Sequence, residues 1–135
     1  MPGTLLDTTI LIDLMAGSEG AIRKVEELRK KSPIYTTTLN IYEILRGMMM
    51  TETGRKKRLE ALEVLAASIN VLDFDAESAR EAAGIYAELR RIGRPISEPD
   101  YMIGGTCIAN GVEVIVTKNI RHFENASPSL KIETY

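Results

Sequence analysis

Apolar residues in this chain follow two periods. Short aliphatic or β-branched runs recur between longer stretches whose apolar positions fall three and four apart. The first run, residues 3–7, predicts a strand ending at Asp7, and Thr8 or Thr9 offers a cap for the helix begun by "ILIDLMAG", which Gly17 stops. "SEGAIRKVEELRKK" places Ile22, Val25 and Leu28 on one face of an amphipathic helix ended by Ser32-Pro33. Residues 34–37 predict a second strand, and "TLNIYEILRG" follows with Ile41, Ile44, Leu45 and Met48 on one helical stripe, weakened at its end by Gly47. Residues 55–67 predict another amphipathic helix through Leu59, Leu62, Leu65 and Ala66. Then come a short strand, "INVLDF", and a long helix near 75–92 ending at Gly93 and Pro95. "SEPDYMIGGTCIANG" predicts a helix opened by Ser97 and Pro99 and closed by Asn110-Gly111. It leads into residues 112–117, "VEVIVT", the most continuous β-branched run and hence the expected central strand, and the tail offers one more strand near 130–133.

Alternation of strand and helix predicts an α/β domain with a small parallel sheet flanked by helices, and 135 residues fit a single domain spanning 1–135. The 44% hydrophobic and 27% charged fractions belong to the globular class and exclude a disordered or fibrous chain. A net charge of -2 supplies no global basic field, so any anionic partner has to be held locally. Every apolar run is broken by Asp, Glu or Arg before the ~18 residues a membrane-crossing helix needs. Cys107 is alone and cannot form an internal disulfide, and no leader-like stretch precedes the first strand, so the expected location is the reducing cytoplasm.

Asp7 interrupts the apolar run "TLLDTTILID", where an unpartnered buried carboxylate would be costly. In open parallel sheets, ligands lie beyond the carboxyl ends of the strands, which is where Asp7 falls. Glu43 lies across the helical wheel from its apolar stripe, Asp100 is in the first turn of its helix, and Asn119 directly follows the 112–117 run. All four can face one cleft. Carboxylates brought close raise one another's pKa unless a cation sits among them. Oxygen donors without a His or Cys cluster suit Mg²⁺ or Mn²⁺ rather than Zn²⁺, and those ions serve phosphoryl chemistry.

Each acid taken alone has a bland explanation. Asp7 could cap a helix, Asp100 could close the S-x-x-D capping box that starts at Ser97, and Glu43 could be a solvated charge; only the trio carries the inference. Thr8 could orient a water or Asp7, or simply cap. The basic cluster "RKKR", residues 55–58, reads as a solvated helix start or a phosphate contact. Met48 suits the core, whereas Met49 or Met50 has to be exposed because three consecutive helical residues cannot face one way. Gly104 and Gly105 predict close packing of their helix onto the sheet. Glu98, at a helix start, is left outside the site.

The segments "LLDTTILID", "TTLNIYEILRG", "SEPDYMIGGTCIANG" and "VIVTKNIRHFE" resemble, in order and across nearly the whole chain, the motifs of PIN-domain ribonucleases, and above all the VapC-type toxins. That resemblance implies a three-layer α/β/α PIN-like fold and an Mg²⁺- or Mn²⁺-dependent endoribonuclease that hydrolyses RNA. It further implies a homodimer and a small cognate antitoxin that holds it inactive. Asp7, Glu43 and Asp100 match the family's acidic positions as catalytic and metal-holding residues, with Thr8, Asn119 and His122 as groups that orient water or RNA. Two departures stand out: Asn119 replaces a frequent fourth acid, and His122 replaces an acid before Phe123. Neither adds negative charge, so one well-held ion is expected. Two rival readings follow from the same residues. One is a catalytically weak PIN-fold interaction module that binds a partner through its Met-bearing face. The other is a phosphotransfer or phosphatase domain built on an Asp after the first strand, although "DTT" lacks the second Asp two residues on that one such phosphatase class requires.

Overall fold

The structure is a computed structural model that describes residues 2–94, 97–124 and 126–135. Five short strands, β1 (Thr4–Leu6), β2 (Ile34–Thr37), β3 (Asn70–Leu72), β4 (Val114–Val116) and β5 (Lys131–Glu133), form one sheet in the order β3-β2-β1-β4-β5, every neighbouring pair parallel. Seven helices lie between them among the described residues: α1 (Thr8–Met15), α2 (Glu19–Arg29), α3 (Thr38–Met49), α4 (Arg55–Ala67), α5 (Ala76–Arg91), α6 (Glu98–Ala109) and α7 (Ile120–Phe123). The α/β class and the parallel sheet agree with the sequence, as do the left-handed glycines that stop helices, Gly17 at φ 77° and Gly111 at φ 69°. Pro95, expected beyond the end of α5, lies outside the described residues.

Strand alternation divides the core. Leu6, Val116 and Ile34 face one side with α1, α2, α4 and the body of α3, through Ile10, Leu11, Val25, Leu28, Ile44, Met48 and Leu62. Leu5 and Ile115, in register across β1 and β4, face the other side with Ile103, Cys107 and Phe123 of α6 and α7. α5 packs along the outer side of α6 through Ile85 and Leu89.

Three expectations change. The central strand is β1, not the 112–117 run, because β2 and β4 flank β1 whereas β4 has only the edge strand β5 beyond it. A β-branched run reports burial on two faces, which β1 and β4 share, and says nothing of sheet order. In α2 the buried residues are Ala21, Val25 and Leu28, and Ile22 is exposed, since the buried stripe runs through positions four and three apart and Ile22 falls beside it. The paired glycines face α5 rather than the sheet: a Cβ on Gly105 would stand 2.5 Å from the backbone nitrogen and 2.7 Å from the Cα of Ala82.

Gly105→Ala is therefore expected to cost about 1–3 kcal/mol by overpacking against rigid backbone, seen as a fall of several degrees in the thermal midpoint. Gly104→Ala meets only the flexible Ile85 Cδ1 at 3.3 Å and Leu130 Cδ1 at 3.6 Å. It should shift the midpoint little, because helix propensity returns up to about 1 kcal/mol. Equal midpoints for the two variants in a thermal melt would contradict this packing.

Candidate active site

The chain turns from β1 into α1 at Asp7, at the point where the sheet order runs to β2 on one side and β4 on the other, the usual place for a ligand in such a sheet. The backbone N–H of Asp7 donates to Val116 O at 3.0 Å, tying it to the end of β4. Only 4% of the residue is exposed. Its side chain makes no capping bond at the helix start; Oδ1 accepts from Asn40 Nδ2 at 3.0 Å and Oδ2 from Thr117 Oγ1 at 2.7 Å. Neither Thr8 nor Thr9 caps α1; both lie inside it. Thr8 points toward α3, and Thr9 accepts from the backbone N–H of Lys118 at 3.1 Å.

Glu43 is half-buried on α3 and reaches the same place through Thr8, whose hydroxyl donates to Glu43 Oε1 at 2.8 Å. Between them lies a residue that sequence reasoning passed over, the fully buried Asn40. Thr37 caps α3, accepting from the Asn40 backbone N–H at 3.2 Å, and Asn40 Oδ1 accepts in return from Thr37 N at 3.2 Å and Thr37 Oγ1 at 2.6 Å. The amide nitrogen then donates to Asp7 Oδ1 and, at 3.1 Å, to Thr8 Oγ1. The T-x-x-N spacing from Thr37 was a readable capping signal, with Asn in the slot usually held by Glu or Gln. Thr117, also missed, gave none, because a threonine closing a strand looks like any other β-branched residue.

Asp100 sits in the first turn of α6 and is 7% exposed. The capping box that S-x-x-D offers as the bland alternative does not form. The Ser97 hydroxyl instead donates to Asp100 Oδ2 at 2.6 Å, and α6 has no side-chain cap. His122, an exposed residue of α7, places Nδ1 3.4 Å from the same oxygen. Asn119 is exposed; its backbone N–H donates to Thr117 Oγ1 at 2.9 Å, and its side chain makes no capping bond to α7.

All three acids are held above their ordinary pKa. Burial is the main cause at Asp7, reinforced by the charge of Asp100 and opposed chiefly by the Thr117 hydroxyl. Burial also leads at Glu43, with repulsion from Asp7 and Asp100 added and the Thr8 hydroxyl opposing. At Asp100, burial outweighs the hydrogen bond from Ser97 and the electrostatic attraction of His122. The fold thus brings the three carboxylates close enough to repel. Among the described residues no Lys or Arg pairs with any of them, and no three His, Cys, Asp or Glu side chains already stand in a closed ligating cluster. Like charges are expected to hold apart until a cation joins them. Oxygen donors that are buried or half-buried, feel one another's charge and have no Lys or Arg partner among the described residues are a donor set that fits a hard divalent ion.

Two further expectations are settled nearby. In the 55–58 basic cluster, Arg55 and Arg58 are spent on the end of α3 and the following loop: Arg55 Nε donates to Met48 O at 3.3 Å and Thr51 O at 3.1 Å, and Arg58 Nη2 to Thr53 O at 2.9 Å. Only Lys56 and Lys57 remain exposed for an outside partner. Met48 is in the core, while Met49 and Met50 are both exposed. An open cleft of about 350 Å³ adjoins Glu43, with Ile12, Met15, Ile44 and Met48 along it and Arg58 at its rim.

This arrangement has relatives. The PIN domain family model matches residues 4–127. The chain is 32% identical over 120 residues to the tRNA(fMet)-specific endonuclease VapC of Shigella flexneri, covering 89% of each. It is 30% identical over 131 residues to the protein of the same name from Salmonella typhimurium, covering 97% of this chain and 96% of that one. Among solved structures, it superposes on a chain of DNA-bound VapBC from Salmonella typhimurium with a TM-score of 0.84 at 29% identity, covering 99% of this chain and 98% of that one. A chain of VapBC2 from Rickettsia felis, bound to a promoter DNA fragment, shares the fold at a TM-score of 0.87 and 22% identity, with 98% of each covered. A carboxylate at the carboxyl end of the central strand, two more acids near enough to share its electrostatic field, and similarity running nearly end to end lead to one conclusion: the chain belongs to the PIN-domain family, among the VapC-type endoribonuclease toxins.

Proposed function

We propose that Asp7, Glu43 and Asp100 together hold one Mg²⁺ or Mn²⁺ ion and that the cleft beside them hydrolyses RNA phosphodiester bonds. The observation that carries this reading is the set of three carboxylates drawn toward one cleft, where Asp7 and Glu43 feel the charge of Asp100 and, among the described residues, no Lys or Arg pairs with any of the three. When bound, such an ion lowers the pKa of a water and offsets the charge that builds on the phosphorus oxygens. The chain's own groups supply the rest. Asp7 is immobilised by two donors, so its position is fixed before substrate arrives. Glu43 uses Oε1 to accept from Thr8, leaving Oε2 to take a proton from the attacking water. His122 and Asn119, exposed at the mouth, orient the RNA backbone and the water through their ring and amide nitrogens.

The substrate proposed is a transfer RNA, since the two relatives at 32% and 30% identity are named as tRNA(fMet)-specific endonucleases. A small antitoxin is the proposed regulator, and the apolar cleft past Glu43 is its proposed seat, supported by the occurrence of the structural neighbours as VapBC assemblies. The working form proposed is a cytoplasmic homodimer, for which the exposed Tyr42 and Met49 of α3 and Met50 just past its end offer apolar surface.

The test is cleavage of purified total tRNA, with the 5′ ends of the products mapped and oligomeric state read by light scattering. Discrete cuts in one or a few tRNAs by a dimer are expected. Uniform degradation of every RNA offered would remove the tRNA assignment, and a monomer at micromolar concentration would remove the dimer. Wild-type protein that cuts nothing would favour the interaction-module reading.

A further inference from the structure

We propose that Asn40 is a positioning residue for catalysis: its side-chain amide aims the carboxylates of Asp7 and, through Thr8, of Glu43 at one shared point. This rests on the metal-site reading above.

Orientation of the amide follows from hydrogen-bond chemistry. Thr37 directs two donors, its backbone N–H and its hydroxyl, at one atom of the Asn40 side chain, at 3.2 and 2.6 Å. That atom has to be the oxygen, because an amide nitrogen carries no acceptor for them. The nitrogen is thereby compelled to face Asp7 Oδ1 and Thr8 Oγ1, at 3.0 and 3.1 Å, with both of its hydrogens used. The polarity then propagates. Thr8, receiving a hydrogen from Asn40, has its own hydroxyl hydrogen free for Glu43 Oε1 at 2.8 Å. One buried side chain, itself locked by the start of α3, fixes the direction of two carboxylates whose residues are 36 positions apart (43 minus 7).

Its chemistry also explains why this position holds an amide. A carboxylate here would turn a lone pair toward Asp7 and add a fourth negative group to three that already repel. A hydrocarbon of the same size would leave Thr37 and Asp7 with buried, unmet hydrogen-bonding groups. An amide is the neutral side chain that both accepts from Thr37 and donates to Asp7. Groups that orient metal-binding side chains typically matter 10–100-fold for affinity or activity.

The experiment is a calorimetric titration of the metal-free protein with MnCl₂, paired with steady-state RNA cleavage, on wild type, Asn40→Ala, Asn40→Asp, Thr8→Val and Asp7→Asn. Thr8→Val alters the relay one step away from Asn40, in a half-buried helix start, and guards against simple misfolding of the Asn40 variants. Melting curves accompany each. The expected result is a 10–100-fold loss of Mn²⁺ affinity in Asn40→Asp, Asn40→Ala and Thr8→Val, with kcat reduced and KM for RNA unchanged. Thr8→Val with wild-type Mn²⁺ affinity, or Asn40→Asp with equal or tighter affinity, overturns the positioning role while Asp7→Asn still abolishes binding. If wild type shows no saturable heat, or Asp7→Asn binds as wild type does, the metal site itself is wrong and this inference falls with it.

Discussion

Asp7→Asn is expected to stop RNA cleavage and leave the fold standing. Loss of the central carboxylate removes the anchor of the proposed ion, whose stabilisation of developing charge amounts to several kcal/mol; at about 1.4 kcal/mol per decade, kcat should fall on the order of 10³-fold. Stability should hold or rise. An asparagine at this position has nearly the same shape, its Oδ1 can still accept from Asn40 Nδ2, and its amide nitrogen can donate to Thr117 Oγ1. The change also removes a carboxylate whose charge burial disfavours. The measurements are single-turnover cleavage with protein purified free of host nuclease, and a thermal melt. Cleavage at the wild-type rate by a correctly folded variant would end the site assignment, and a collapse of the melt would mean that Asp7 serves the fold first.

The second large effect is removal of metal. EDTA should silence the enzyme and Mg²⁺ or Mn²⁺ should restore it, and the pH dependence of the metal-free protein should show why. Asp7, Glu43 and Asp100 all titrate above their unfolded values of 3.8, 4.5 and 3.8. A group raised in this way contributes stability that is fully present below its unfolded pKa and is lost as pH climbs through the folded one. Compared with the triple variant Asp7→Asn/Glu43→Gln/Asp100→Asn, the metal-free wild type should therefore lose ground as pH rises above the unfolded values and through the raised folded ones. Asp13, held low first by Lys118, and Asp75, held low by the Ser78 backbone N–H, run the opposite way, but both are present in each protein and cancel in the difference.

Manganese should invert that trend. The ion competes with protons for the same oxygens, so its affinity rises with pH, and at a concentration 100-fold above Kd it adds about 2.7 kcal/mol of stability. The increment in thermal midpoint on adding Mn²⁺ should be larger at neutral pH than at mildly acidic pH in wild type, and absent in the triple variant. An increment independent of pH, or one that survives in the triple variant, would place the ion elsewhere.

Short-range patterns in the chain were enough to locate the elements and the cast of acids. Period and punctuation fixed α1, α3, α4, α5 and α6 within a residue or two, because capping residues, helix-stopping glycines and apolar stripes act over one or two turns of chain. The order of motifs also sufficed to identify the family. What it left open was every relation across distance. Asn40 drew no notice within its helical segment and Thr117 merely closed a strand-like run, yet their bonds to Asp7 span 33 and 110 positions. Asp100 spelled a capping box from Ser97, and the fold turned the serine hydroxyl onto the carboxylate instead. The β-branched run of β4 announced burial but not that β1 would lie between β2 and β4 and carry Asp7 to the switch in strand order. Local sequence sets the free energy of a turn or a helix end. Which carboxylates share a cleft, and which neutral donors aim them, depends on strand order and helix packing, to which residues from distant parts of the chain contribute together.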